Sequence, residues 1–155
     1  MIFRFLPLAF FMALLYGCSN NEQSQHFIID KSQFSNVYPA VWFSASKGKI
    51  IPVSDDVKKR ADYIWIEPRD PEIRAYNEAG FIYLGDGTAY DQAKQPEEEN
   101  IPLARKPRMD TDHNRENGGL PATFLFINGD QAYAMRITRM SREDEVIEFD
   151  WKKLP

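Results

Sequence analysis

Ala122-Thr-Phe-Leu-Phe-Ile-Asn-Gly-Asp-Gln-Ala-Tyr-Ala-Met-Arg-Ile-Thr138 and, after a polar bend from Arg139 to Glu145, Val146-Ile-Glu-Phe-Asp-Trp151 decide the fold of this chain. Asn128-Gly129 between two apolar runs is the strongest short hairpin signal a sequence carries. A type I′ turn centred there pairs Phe124 with Tyr133 and Ala122 with Met135. It places Phe124, Phe126, Tyr133, Met135 and Ile137 on one face. In the third run Ile147, Phe149 and Trp151 point one way. Glu148 and Asp150 point the other way, where Arg136 lies across from them. Three strands with one apolar face require a second layer, which the preceding residues must supply.

Working back towards the N-terminus, further strand signals appear. Phe81-Ile-Tyr-Leu84 reads as a strand closed by the turn Gly85-Asp-Gly-Thr88. Tyr63-Ile-Trp-Ile66 is apolar on both faces, which suits a central, doubly covered strand. Val37 to Ser46 is rich in Val, Tyr, Trp and Phe, with Pro39 confining its start to an edge or bulge. Ser46-Lys-Gly-Lys49 has hairpin composition, with Ile50 to Val53 as the returning strand, and His26 to Asp30 is a possible first strand. One or two short helices are expected. One runs from Ser54 to Ala61, with acidic residues first and basic residues last. The other runs from Pro71 to Ala79, with Asp70 as cap, Gly80 just past its end, and Ile73 and Tyr76 facing inward. The expected fold is mostly β, with α+β as the variant. It is an antiparallel sheet with a C-terminal three-strand meander, sandwich- or barrel-like, with one or two short helices.

From Asp91 to Pro121 periodicity vanishes, and a loop of that length in a compact domain is either functional or disordered. Asp110, Asp112, Asn114 and Glu116 offer oxygen ligands at alternate positions, like the opening of an EF-hand calcium loop. Arg115 stands where that loop needs glycine and Pro121 where it needs a bidentate glutamate, so a solvated polar loop is the favoured reading over a divalent-cation site. Within the same loop His113, Arg105 and Arg108 are candidate binding residues. His113 and His26 are the two imidazoles of the chain, and no Gly-x-Ser-x-Gly elbow accompanies them. Ser44-Ala-Ser46-Lys47 has Ser-x-x-Lys spacing without the companion motifs of penicillin-interacting enzymes, and reads as chance. Tyr38, Trp42, Phe43, Tyr63, Trp65 and Tyr83 at strand spacing are expected to be core more often than groove. No catalytic set is assigned, and no cofactor.

The N-terminus carries a separate signal. Arg4 supplies a short positive region and Phe5 to Leu15 an apolar run interrupted only by Pro7, the layout of a secretory signal peptide, well short of the roughly 20 residues of a spanning helix. Leu15-Tyr16-Gly17-Cys18 resembles the lipobox of bacterial lipoproteins, with Tyr16 departing from the small residue usual at that position. The resemblance implies cleavage before Cys18, a covalent lipid on its sulfur, and membrane attachment through that lipid. Ser19 in place of Asp implies the outer membrane, facing the periplasm. Residues 1–17 are then the leader, 18–25 the lipidated cysteine and a polar tether, and 26–155 a single β-rich domain.

Composition narrows the function classes. The chain is 155 residues with net charge −4, and loss of Arg4 with the leader leaves 18 basic against 23 acidic residues, or −5. That balance gives no electrostatic footprint for nucleic acid or for anionic lipid. Cys18 is the one cysteine, so a lipidated chain has neither disulfide nor thiol chemistry. The expectation is a non-enzymatic envelope lipoprotein that binds a protein or envelope component, an immunity or inhibitor protein being one form. The alternative is a small envelope hydrolase, or a divalent-cation or ligand-binding protein, using the loop from Asp110 to Glu116.

Overall fold

The computed structural model describes residues 23–34, 37–53, 62–97, 101–106 and 119–155. Among the described residues nine strands form two antiparallel sheets. The five-stranded sheet has β1 (Gln25–Ile29), β9 (Val146–Lys153), β8 (Gln131–Ser141), β7 (Ala122–Asn128) and β6 (Gly80–Asp86) in that order. The four-stranded sheet has β3 (Lys49–Pro52), β2 (Val41–Ser44), β4 (Tyr63–Glu67) and β5 (Glu72–Ala75). Among the described residues neither sheet closes on itself, so the architecture is sandwich-like and not a closed barrel.

The alternation read in the sequence builds the core. Phe124, Phe126, Tyr133, Met135, Ile137, Ile147, Phe149 and Trp151 all enter one cluster with Val41, Phe43, Ile64, Ile66 and Ile73 from the other sheet. Phe43 is the pivot. Its ring lies 5.2 Å from Phe149 and 5.0 Å from Trp151, edge-on to both, and 4.9 Å from Phe27. Burying an aromatic side chain of this kind contributes about 1.5–3 kcal/mol before edge-to-face terms are added.

The meander β7–β8–β9 forms as expected, with one change of register. Phe124 pairs with Met135, Phe126 with Tyr133 and Asn128 with Gln131, so the loop residues are Gly129 and Asp130. Gly129 alone takes a positive φ (57°), the pattern of a type II′ turn with glycine first. The turn moves by one residue and each pairing by two, so every side chain keeps its face. β4 lies between β2 and β5, central as its two-faced apolarity requires.

The helix expected from Pro71 to Ala79 does not exist. Pro68 to Pro71 is a turn, Glu72–Ala75 is β5, and Gly80 opens β6. Ile73 and Ala75 alternate into the core opposite Ile66 and Ile64, and this pairing outweighs the cap-like Asp70-Pro71. Asn77, at φ 58°, then turns the chain from one sheet into the other. The expected helix from Ser54 to Ala61 lies outside the described residues. Helical content among the described residues is a 3₁₀ turn at Lys31–Gln33 and α1 (Ala89–Gln92). β1 starts at Gln25, paired with Trp151, so the sheet takes in the last residue expected of the tether.

Part of the aperiodic loop is docked. Ala104 exchanges both backbone hydrogen bonds with Phe81 (2.7 and 3.0 Å), and the Arg105 carbonyl accepts from the Ala75 amide at 2.8 Å. Residues 104 and 105 thus bridge an edge strand of each sheet. Gly80 is required beneath this strap, since a Cβ there would sit 2.6 Å from the Leu103 Cβ and 3.0 Å from the Ala104 carbonyl.

Candidate functional site

A polar row crosses the outer face of the five-stranded sheet. His26, Asp150, Arg136 and Thr123 are consecutive cross-strand partners on β1, β9, β8 and β7. Asp150, Arg136 and Thr123 are each flanked in their own strands by core residues, and His26 by the partly buried Phe27, so the two-residue period turns all four away from the sandwich interior. Asp150 is the hub, its side chain 13 % exposed. Its Oδ2 accepts from Arg136 Nε at 2.8 Å and Nη2 at 2.7 Å, and its Oδ1 meets His26 Nδ1 at 2.8 Å. A carboxylate buried this far needs such donors.

Tyr90 of α1 closes over the row. Arg136 Cζ stands 4.6 Å and Lys152 Nζ 4.7 Å from the centre of its ring. Its hydroxyl bonds the Ser24 hydroxyl at 2.8 Å. Burial pushes the Tyr90 phenol up to about 12, the Ser24 bond pulling slightly the other way. The turn leading into α1 is fixed by Asp86, which accepts from the Thr88 amide (2.9 Å) and hydroxyl (2.6 Å). Those bonds, the hydroxyl first, hold the Asp86 carboxyl below the usual range. Beside Arg136 opens a cleft of about 650 Å³, lined also by Asp86, Thr88, Asp91, Gln92 and Thr138. Gly87 sits at its rim with no room for a side chain, because a Cβ would lie 2.5 Å from the Pro121 ring.

The chemistry of this row is that of a clasp. With Nδ1–H held by Asp150, the half-exposed His26 keeps Nε2 as its remaining acceptor, an orientation general bases share. The Ser24 hydroxyl, two residues before His26, is bonded to Tyr90. Among the described residues no group of three His, Cys, Asp or Glu is placed to hold a metal ion. The sequence places Arg136 opposite Asp150, and they pair. His26 joins them from 124 residues away, and no spacing in the sequence announces that contact.

The other expected site residues fall as follows. Leu15, Tyr16, Gly17, Cys18, Arg108, Asp110, Asp112, His113, Asn114 and Glu116 lie outside the described residues. Arg105 is exposed at the strap, beside Lys106, whose ammonium pairs with Glu72 at 3.0 Å. Ser44 and Ser46 both donate to Asp62 (3.3 and 3.0 Å), leaving the Ser-x-x-Lys spacing without a serine–lysine contact. Phe43 is core, whereas Trp42, Tyr63 and Trp65 form a second cluster with Tyr76 on the outer face of the four-stranded sheet. There the buried Trp42 Nε1 has no hydrogen-bond partner among the described residues. Tyr38 and Tyr83 are partly exposed. Comparison of the chain with protein-family profiles, with curated proteins and with solved structures finds no match.

Proposed function

We propose that this chain is a lipid-anchored envelope protein whose β-sandwich acts as a non-enzymatic binding module, its ligand-facing feature the cleft beside Arg136. The leader and the Leu15–Cys18 motif support the anchor. The observation that carries the binding reading is the cleft itself. It is a recess of about 650 Å³ whose lining mixes cationic, anionic and hydroxyl groups, beside an arginine already oriented by Asp150.

Two measurements test this reading. Radioactive palmitate labels the wild-type chain and not Cys18→Ser; label on the variant rejects the anchor. Tagged protein in detergent-solubilised envelope recovers a partner protein, and the exposed cleft substitutions Asp91→Arg and Gln92→Trp reduce recovery about tenfold, the scale of losing one interfacial contact. Equal recovery by the variants rejects the cleft.

A further inference from the structure

The charges of the described residues are unevenly partnered. The turns Pro68 to Pro71 and Arg142 to Glu145 sit together at one end of the sandwich, tied by Arg69–Glu145 at 3.2 Å and Arg142–Asp70 at 2.6 Å. The opposite end, where the chain arrives at Gln23, is different. Gln25 pairs with Trp151, which brings Lys152 and Lys153 to the start of β1. The β2–β3 turn reaches the same point from the other sheet, since a Cβ on Gly48 would touch the Gln25 amide oxygen at 2.7 Å. Gln23, Gln25, Ser46, Lys47, Lys152 and Lys153 line one shallow cleft there of about 150 Å³, and Lys49 follows Gly48 on β3.

Lys47, Lys49 and Lys153 are exposed, and none of the four lysines has an ion pair among the described residues. Lys152 stands over the Tyr90 ring. Asp62, which accepts from Ser44 and Ser46, forms no ion pair with these lysines among the described residues. Glu97 and Asp130 line a separate cleft with Gln131 and Ala132. On a chain of net charge −4, four cations without carboxylate partners at one end are a local reversal of sign.

We infer that this lysine end is a docking surface for the anionic phosphate headgroups of the bilayer that holds the protein. The inference rests on the lipid-anchor reading. Gln23 lies five residues after Cys18, a span of about 17 Å when fully extended. Glu22 is the one charge in that stretch. A lipid on Cys18 therefore holds the lysine end, and not the ion-paired end, near the headgroups. Lysines held close to an anionic surface are attracted within a Debye length, about 8 Å at physiological ionic strength. Docking by this end leaves the turns around Asp70 and Arg142 pointing away from the membrane.

The test uses the lipidated protein in vesicles of phosphatidylcholine alone or with phosphatidylglycerol. Amine-reactive labelling is read residue by residue by mass spectrometry. Phosphatidylglycerol is expected to lower labelling of Lys47, Lys49, Lys152 and Lys153 by about threefold relative to Lys31 and Lys106, with protection lost at high salt. In the variant K47E/K49E/K153E, protection of Lys152 disappears. Vesicle-bound protein labelled equally in both vesicle types overturns the docking surface and leaves the anchor standing. Protein that carries no lipid mass and does not float with vesicles overturns both.

Discussion

Asp150 shows how one side chain commits its neighbours. Asp150→Asn leaves the Arg136 guanidinium beside a neutral amide and frees the His26 ring, and is expected to cost about 2–3 kcal/mol in urea unfolding with an unchanged m-value. Tyr90 adds an alkaline signature. Burial holds its phenol at about 12 in the folded state, above the ordinary tyrosine value of about 10. The stability it contributes is therefore fully present below pH 10 and is lost as pH rises towards 12, about 2–3 kcal/mol across that window. Tyr90→Phe removes that part of the alkaline loss, read from denaturant midpoints on either side of pH 10. On the other sheet, Trp42→Phe deletes a buried donor that has no acceptor among the described residues, and is expected to change stability by less than about 1 kcal/mol. Half of the row was legible in advance. Alternation in the last strand fixes which way Asp150 and Arg136 point, so their meeting follows from the hairpin. Nothing local to His26 says that β1 pairs with a strand 124 residues away, because strand order is settled by closure of the whole core.

At the scale of elements, the contrast lies between two turns. Asn128-Gly129-Asp130 stands between long alternating runs, and shifting it by one residue leaves every face intact. Asp70-Pro71 resembles a helix start, yet the four residues after it alternate at a strand's period, with Ile73 and Ala75 both buried. In so short a segment three-residue and two-residue periods overlap, and only the partner strand Tyr63–Glu67 decides between them. The strap was not legible either, because its hold on the sheets is backbone to backbone and leaves no side-chain pattern. Gly80→Ala tests it. The added methyl must displace Leu103 or the Ala104 carbonyl, so hydrogen exchange at the Phe81 and Ala75 amides is expected to quicken, with a loss of about 1–3 kcal/mol. Exchange at Phe126 and Met135, in the centre of the five-stranded sheet, then changes only by the global loss.

Across the whole molecule, the sandwich depends on Phe43 bridging to Phe149 and Trp151, and Phe43→Ala is expected to cost about 3–5 kcal/mol by thermal or denaturant unfolding. The direction of β1 has a mechanical consequence. It runs antiparallel to β9, with its first residue beside the last residues of the chain, so tension applied through the N-terminus peels it open one pair at a time instead of shearing all five pairs together. The bonds at the peeling front are Ser24 to Tyr90 and His26 to Asp150, both side-chain bonds placed where the backbone ladder is loaded singly. They act as rivets at the start of a seam. In single-molecule pulling from the N-terminus, His26→Ala lowers the force of the first opening event while the force for the remaining core stays unchanged. A domain held at that end resists detachment of its first strand through two side chains that no core argument would have called important.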